Sequence, residues 1–269
     1  MKLPGALFLS FCAVMLPCQA ATLVVEPRPS AKYSTIQSAV NAAQPGDIVE
    51  IRSGVYFEHV EIRKGGEPGR PIVIQGAPNA LVVVNAGQRL EAQFTPVKDY
   101  PEVYSAPVPA AKMKEETALW EMPARMRMKR VFSVEQVAQR IGSWFYDPQQ
   151  ERLYVRSTGS RKADQAAYWL ESSNKAAITV NTSYVTLRNL ETTLGQHGIL
   201  VTGKDRHHVT IENCRAYCNS WAGIHITGDD HLVANNDTFF NNTYGIQLRY
   251  GVNRVKIVGN RCLFNGPNN

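Results

Sequence analysis

Six side chains in the last third of the chain carry groups that proteins use to bind sugars. Aromatic rings pack on the C–H faces of pyranoses, while imidazole, amide and guanidinium groups form hydrogen bonds with hydroxyl or carboxylate groups. The candidate substrate-binding residues are His197, Trp221, His225, Tyr244, Gln247 and Arg249. They recur in successive copies of a short repeat, so they should line one side of a stack. We predict a polysaccharide as the ligand.

Carboxyl groups are the second requirement, because glycoside hydrolysis normally needs two of them, about 5.5 Å apart for retention or about 6.5 to 9.5 Å apart for inversion. Asp229 and Asp230 lie in the bend after His225, with Asp205 one repeat earlier. A uronate lyase would instead need a base, such as Arg249, beside a Ca²⁺ ion that the aspartates could help to bind. The catalytic candidates are therefore Asp229, Asp230 and Arg249. The alternative is that acidic residues in bends only form turns.

These residues belong to the segment 185–265, which repeats one pattern four times. Equivalent positions 24, 23 and 23 residues apart are occupied by Val185, Val209, Leu232 and Val255. In each copy apolar and polar residues first alternate. An asparagine-rich bend follows, and after it a glycine precedes an apolar-x-apolar strand. A two-residue period indicates strands and excludes a continuous helical stripe. The pattern predicts an all-β, right-handed parallel β-helix with coils about 4.8 Å apart.

The same alternation predicts which side chains point into the coil. On one sheet the predicted inward pairs are Val185/Leu187, Val209/Ile211, Leu232/Ala234 and Val255/Ile257. On another sheet they are Ile199/Val201, Ile224/Ile226 and Ile246/Leu248. Amide ladders between coils are predicted at the bend residues Asn189, Asn213, Asn236 and Asn260.

The first residues have the form of a secretory signal peptide. Lys2 precedes an apolar run, and Cys18-Gln19-Ala20 supplies small residues at a cleavage point. We therefore predict a signal peptide over residues 1–20 and an exported protein, periplasmic or extracellular, with no membrane anchor in the mature chain.

A helix is predicted after the signal peptide. Ser34-Thr35-Ile36-Gln37 has the form of a capping box, and apolar residues as far as Ala43 then fall on one helical face. Such an amphipathic helix could cap the open end of the first coil. Short strands are predicted next, at 48–51, 60–62 and 71–75.

The segment from Tyr33 to Glu58, which reads YSTIQSAVNAAQPGDIVEIRSGVYFE, resembles the opening of the pectin-lyase-like superfamily. Exported polysaccharide lyases and β-helical glycoside hydrolases begin in this way. The resemblance implies a carbohydrate-active parallel β-helix. It is specific for the fold rather than for the reaction.

Residues 93–168 interrupt the repeat and predict an inserted side subdomain. Strands at 142–147 and 153–155, joined by a polar turn, predict a hairpin. Together with Pro123-Ala-Arg125 upstream, the hairpin resembles the side insertion of β-helical glycosidases, including β-xylosidase-like families. The Tyr/Trp-Pro-Asn expected after Arg125 is absent, which puts a role carried over to this arginine in question. The insertion favours a glycoside hydrolase-like activity.

The net charge of +6 comes from 29 basic and 23 acidic residues. A basic exported protein can favour acidic polymers, although solubility explains the charge equally well. No run of lysines and arginines is interleaved with aromatic residues, which argues against a nucleic-acid partner.

Three cysteines, Cys214, Cys218 and Cys262, remain after the signal peptide, so they cannot all pair within one molecule. Cys262 lies two coils beyond the others, roughly 9.6 Å away at about 4.8 Å per coil. This exceeds the Cα separation of about 7 Å that a disulfide allows. We predict that Cys262 is a free thiol.

The sequence thus predicts four segments. They are a signal peptide over residues 1–20, a cap helix with the first coils over 21–92, an insertion over 93–168 and a final set of coils over 169–269. The fourth copy stops after Asn265 before its glycine strand. An uncapped edge predicts either a fragment of a longer enzyme or end-to-end contact with another chain.

Three functions remain open at this stage. We favour a glycoside hydrolase-like protein, which needs no cofactor, over a calcium-dependent uronate lyase. The third is a non-catalytic periplasmic β-helix. It is suggested by a similarity to β-helical proteins that assist metal-enzyme maturation, carried by the histidines His197, His207, His208, His225 and His231.

Overall fold

The computed structural model describes residues 20–113, 118–122, 124–159, 162–172, 174–249 and 251–266. Within these ranges the chain is a right-handed parallel β-helix with two short α-helices, which confirms the predicted fold class. The predicted signal peptide lies outside these ranges, apart from its last residue. No helix in the described part is long and apolar enough to cross a membrane.

The first coils contain six strands and one helix. They are β1 (Thr22–Val25), α1 (Ile36–Ala42), β2 (Ile48–Ile51), β3 (Gly54–Tyr56), β4 (Val60–Ile62), β5 (Ile72–Gly76) and β6 (Val82–Asn85). The three strands predicted in this region are present as β2, β4 and β5, the last displaced by one residue.

Helix α1 begins differently from the predicted capping box. Its N-cap is Thr35, whose hydroxyl accepts a hydrogen bond from the Ser38 N–H at 3.2 Å. The Glu58 carboxylate accepts the N–H groups of Ile36 and Gln37 at 2.8 and 3.0 Å. A glutamate from the next coil therefore satisfies the first-turn donors. The helix is present, and its role as an end cap stays a prediction.

The insertion contains nine strands and a second helix. They are β7 (Gln88–Arg89), β8 (Thr95–Val97), β9 (Tyr100–Pro107), β10 (Leu119–Met122), β11 (Met126–Arg127), β12 (Lys129–Arg130), α2 (Val134–Gln139), β13 (Ser143–Asp147), β14 (Arg152–Arg156) and β15 (Ala167–Leu170). The sheets have the orders β11-β10-β15-β7 and β12-β13-β14-β9-β8. Strands β13 and β14 pair antiparallel, which confirms the predicted hairpin.

The remaining coils contribute twelve strands. They are β16 (Ile178–Val180), β17 (Val185–Arg188), β18 (Glu191–Thr193), β19 (His197–Val201), β20 (Val209–Glu212), β21 (Arg215–Tyr217), β22 (Ala222–Ile226), β23 (Leu232–Ala234), β24 (Asp237–Phe239), β25 (Tyr244–Leu248), β26 (Lys256–Val258) and β27 (Arg261–Leu263).

Three parallel sheets form the walls of the solenoid. Sheet A has the order β1-β2-β5-β17-β20-β23-β26, sheet B has β3-β6-β18-β21-β24-β27, and sheet C has β4-β16-β19-β22-β25. The chain visits A, B and C in turn, so each coil has an A-to-B, a B-to-C and a C-to-A bend. The insertion leaves after β6 in sheet B and returns before β16 in sheet C. It therefore projects from the B-to-C bend.

The predicted inward residues are buried in most coils, but the register of β23 differs from the prediction. Leu232 pairs with Thr210, so Val233 is the fully buried residue in this strand instead of the predicted Leu232. His231 then takes the inner position beside Val209 and is buried. Its Nδ1 accepts the Val209 N–H at 3.0 Å. A histidine replaces the expected aliphatic residue because it satisfies a backbone donor there.

Two predicted inward residues, Leu248 and Ile257, are 45% exposed. They belong to β25 and β26, each of which has a neighbouring strand on one side only in the described part. Burial of an inward side chain in a solenoid requires a coil on both sides.

Asparagine ladders connect the coils at two bends, and one of them was not predicted. At the A-to-B bend the Asn236 amide donates to Asn260 Oδ1 at 2.9 Å. Asn189 and Asn213, also predicted as ladder residues, instead have left-handed backbone with φ of 56° and 53°. In those two coils the position equivalent to Asn236 is the next residue along the chain. Its side chain is apolar, so the ladder does not continue there.

The second ladder stands at the B-to-C bend. It runs from Asn219 to Asn241 and Asn265, with amide contacts of 2.8 Å at both steps. Asn241 also accepts the Asn219 N–H and donates to the Ala216 carbonyl oxygen. A Cβ on Gly223 would lie 2.8 Å from the Asn241 amide nitrogen, which explains the glycine before each apolar-x-apolar strand.

The N241A variant tests the second ladder. Removing this fully buried amide leaves the Asn219 N–H and the Ala216 carbonyl without partners, so we expect the free energy of unfolding to fall by about 2 to 4 kcal/mol. Urea denaturation measures the change, and the exposed Asn174 provides the control variant N174A. Equal stability of both variants would contradict a structural role for the ladder.

Candidate functional site

Two exposed aromatic side chains mark the B-to-C bend of the later coils. Trp221 and Tyr244 lie on successive coils, and each is 42% exposed. Their ring centroids are 6.1 Å apart, with an angle of 64° between the planes. The indole Nε1 of Trp221 donates to Gln247 Oε1 at 3.0 Å. The two rings therefore form a fixed, solvent-accessible corner rather than two independent surface residues.

Two buried histidines lie beside this corner. The His197 and His225 rings are 4.7 Å apart, in a T-shaped arrangement. The Nδ1 atoms of both rings are buried without a hydrogen-bond partner. His225 pairs in register with Gln247, the residue that holds Trp221. Unpartnered buried nitrogen atoms beside an exposed aromatic corner give the site unused hydrogen-bonding capacity.

Burial makes both imidazoles neutral at physiological pH. It lowers the pKa of His197 to about 3, with smaller contributions from His225 and Arg249. Burial also lowers the pKa of His225, and the Arg249 charge acts in the same direction. Arg249 itself is exposed. The positive charge beside the aromatic rings therefore belongs to Arg249 rather than to the imidazoles.

The structure brings together the six residues predicted to bind substrate, with one change of alignment. His197 pairs with Ala222, which pairs with Tyr244, so Trp221 stands one position earlier, beside Gln196. The second difference is burial, because the histidines are covered whereas an exposed row was expected. We call Trp221, His225, Tyr244, Gln247 and Arg249 the aromatic edge.

The predicted catalytic aspartates lie elsewhere, at the C-to-A bend. Asp229 Oδ1 accepts from the Asn253 backbone and amide at 2.9 and 3.1 Å. Asp230 forms a two-pronged ion pair with Arg254, at 2.6 and 2.9 Å, which lowers the pKa of this carboxyl group. A carboxylate held in this way is a poor proton donor. Both residues act here as turn formers, and a catalytic role for them stays a prediction.

One carboxyl group near the aromatic edge was missed by the sequence analysis. Glu171, whose side chain is 1% exposed, accepts a hydrogen bond from Trp120 Nε1 at 2.6 Å. Its Oε1 lies 3.6 Å from Arg127 Nη2, and Arg127 donates to Asn242 Oδ1 at 3.3 Å. Burial raises the pKa of Glu171, although Arg127 opposes this effect.

These contacts fasten the insertion to the B-to-C bend that leads into Tyr244. Glu171 and Trp120 come from the insertion, whereas Asn242 lies in the bend itself. No periodic signal marks Glu171, since it precedes the first clear repeat. The available signal was its position, just before the chain returns from the insertion.

Arg125, the arginine of the Pro-Ala-Arg motif, reinforces this attachment. Its guanidinium carbon lies 4.9 Å from the ring centre of Tyr217 and 5.5 Å from that of Phe239, on the outer face of sheet B. Stacking of this kind stabilises the packing of the insertion. The structure therefore gives Arg125 an anchoring position.

The remaining histidines bear on the metal hypothesis. His207 Nδ1 and His208 Nδ1 are 2.9 Å apart at the C-to-A bend. The described residues contain no group of three or more His, Cys, Asp or Glu side chains placed to hold a metal ion. Metal delivery and a calcium site stay predictions.

The three cysteines of the described residues, Cys214, Cys218 and Cys262, are free thiols. Cys214 and Cys218 are buried, and burial raises the pKa of each to about 12. Cys262 is exposed and unpaired, as predicted.

The buried histidines predict a loss of stability in mild acid. His197, His225 and His231 have lowered pKa values in the fold, whereas an unfolded chain protonates histidine near pH 6.5. Below that pH the unfolded chain binds more protons. We expect the free energy of unfolding to fall from about pH 6.5 to pH 4, by up to about 1.4 kcal/mol per pH unit for each histidine.

Denaturation at several pH values measures this slope. The H231V variant should flatten it, and H208N, at an exposed position with left-handed backbone, should not. The readout is the slope, since losing the His231 acceptor also changes the absolute stability. An unchanged slope in H231V would show that His231 is not the acid-sensitive group.

Comparisons with known proteins agree with this architecture. A family model described as a right handed beta helix region matches residues 163–267. No curated protein shows significant similarity to the chain. The structure of XylC with xylose is similar with a TM-score of 0.66 and 13% identity, covering 91% of this chain and 53% of XylC. Pectate lyase Pel9A aligns with a TM-score of 0.45 and 15% identity, covering 92% of this chain and 47% of the lyase.

An alginate lyase from Paenibacillus sp. str. FPU-7 aligns with a TM-score of 0.46 and 13% identity, over 88% of this chain and 58% of the lyase. The chain thus spans about half the length of these solved structures. At such identities a likeness establishes the fold alone. The chain is a right-handed parallel β-helix protein.

Proposed function

We propose that the chain is an exported β-helix protein that binds polysaccharide along its aromatic edge. The observation that carries the proposal is the corner formed by Trp221 and Tyr244, whose exposed rings are fixed by the contact of Trp221 with Gln247. Large aromatic side chains are normally buried, so a rigid exposed pair is typical of a binding surface.

The polar groups beside the corner suit a carbohydrate. Pyranose C–H faces pack on aromatic rings, while ring hydroxyls need hydrogen-bond partners. Gln247 and Arg249 supply polar groups at the surface, and His225 lies in register with Gln247. The likeness in fold to XylC, whose structure contains xylose, supports a sugar as the ligand.

Within this proposal, glycoside hydrolase-like activity is favoured over lyase activity. The insertion between β6 and β16 supports the hydrolase, since it resembles the side insertion of β-helical glycosidases. A lyase would need a metal or a comparable electrophile beside the base. Asp229 and Asp230, the proposed calcium ligands, direct carboxylate oxygens to Asn253 and Arg254, contacts that favour a turn-forming role for them.

Glu171 acts as a positioning residue in this scheme. Its carboxyl group is buried between Trp120 and Arg127, so it does not reach a sugar at the aromatic edge. By fastening the insertion to Asn242 through Arg127, it keeps the bend that leads into Tyr244 in place.

Variants of the two exposed rings test the proposal. We expect W221A and Y244A each to weaken binding of xylo-oligosaccharides or oligogalacturonides by about tenfold, because each ring contributes about 0.5 to 1.5 kcal/mol of stacking beyond its area. Isothermal titration calorimetry measures the affinity. F132A, which removes an exposed ring from the insertion, is the matched control.

The same preparations distinguish the reactions. Reducing ends released without new unsaturated-uronate absorbance support a hydrolase, and release with absorbance supports a lyase. Binding without either product supports a non-catalytic binding protein. Unchanged affinity in both W221A and Y244A would reject the aromatic edge as the binding surface.

A further inference from the structure

A second aromatic pair, with one ring exposed and the other partly buried, lies on the same side of the solenoid as the aromatic edge. The Phe57 and Trp169 rings are stacked, with centroids 5.8 Å apart and planes 10° apart. Phe57 is 64% exposed and stands in the B-to-C bend between β3 and β4. Trp169 belongs to β15, the last strand of the insertion before the chain returns to sheet C.

Trp169 is held in place by the insertion, so the pair is not a mobile surface contact. It pairs across the sheet with Trp120, whose Nε1 donates to Glu171. Trp169 also packs against the cluster that contains Leu194 and Tyr217, on the coils below the insertion. One ring is therefore anchored, and the other, Phe57, offers an open face.

A ledge of hydrogen-bonded B-to-C bends runs from Lys175, where the insertion returns to the solenoid, to Thr243 beside Tyr244. Backbone hydrogen bonds run between successive B-to-C bends, from Gln196 N–H to the Lys175 oxygen and from Trp221 N–H to the Gln196 oxygen, both at 2.8 Å. The Thr243 N–H continues this series to the Trp221 oxygen at 2.9 Å. The bends are thus in register along the solenoid axis.

The separation of the pairs follows from the coil spacing. Phe57 precedes the first strand of sheet C, and Trp221 precedes the fourth. Three steps of about 4.8 Å place the rings about 14 Å apart along the axis. Lys175, which is exposed, and Gln196 lie between them and offer polar groups to a ligand on the ledge. A mono- or disaccharide cannot contact both ends of such a span.

We propose that Phe57 and Trp169 form a distal subsite that binds the far end of a polysaccharide already held at Trp221 and Tyr244. The chain then lies along the solenoid axis over Lys175 and Gln196. This inference rests on the proposed function of the aromatic edge. It adds a preference for long chains and assigns that preference to a named pair of residues.

The test compares chain lengths. Xylo-oligosaccharides and oligogalacturonides from disaccharide to octasaccharide are titrated by calorimetry into the full chain, F57A, W169F and the control F132A. We expect affinity to rise with length in the wild type and in F132A. In F57A the octasaccharide should bind about three- to tenfold more weakly, while the disaccharide is unaffected.

W169F keeps an aromatic ring at the anchored position, and its thermal melting shows whether the insertion still packs. Wild-type affinity that does not depend on length, or an octasaccharide affinity unchanged in F57A, would overturn the distal subsite and leave the aromatic edge intact. Failure of every oligosaccharide to bind the wild type would instead overturn the proposed function, and this inference with it.

Discussion

The parallel register of the coils is the constraint on which the rest of this structure depends. Each bend must stand directly over the preceding one, or the inward columns and the backbone hydrogen bonds between coils would both be lost. At the B-to-C bend the register is held by the ladder of Asn219, Asn241 and Asn265. The same bend carries Trp221 and Tyr244. The rigidity of the candidate site is therefore a consequence of the amides inside the coil.

The insertion depends on the same bend. It projects between sheets B and C and is fastened back to the later coils by Glu171, Arg127 and the stacking of Arg125 on Tyr217. A buried carboxylate is costly unless its partners compensate for the lost hydration. At this junction Trp120 and Arg127 supply those partners to Glu171. The insertion therefore lies beside the ledge that carries Trp221.

Much of this fold could be predicted from the sequence because the solenoid repeats one simple rule. Alternation located the strands, and β2 and β4 have the predicted bounds. The rule failed where a polar side chain took an inner position. His231 is buried because its ring accepts the Val209 N–H, a partner one coil away that no local pattern reveals. The shift of Leu232 by one residue follows from that substitution.

The candidate site was predictable to the same extent and for the same reason. Trp221, Tyr244 and Gln247 recur with the repeat, so alternation placed them together. Glu171 lies outside the repeat and meets Trp120 across the insertion, a contact that depends on a fold without periodicity. Acidic residues in the bends were predicted to be catalytic from their residue type, but the Asp230 carboxylate is neutralised by its ion pair with Arg254.

The charge of the aromatic edge bears on which sugars it would prefer. The net charge of +6 would draw acidic polymers toward the molecule over long distances. At the edge, however, burial keeps His197 and His225 neutral, so neither imidazole attracts a uronate carboxylate. The exposed rings of Trp221 and Tyr244 are also neutral. Stacking and neutral hydrogen bonds therefore suit an uncharged sugar at the rings, whereas the exposed Arg249 of the same edge supplies the positive charge that would bind a uronate carboxylate.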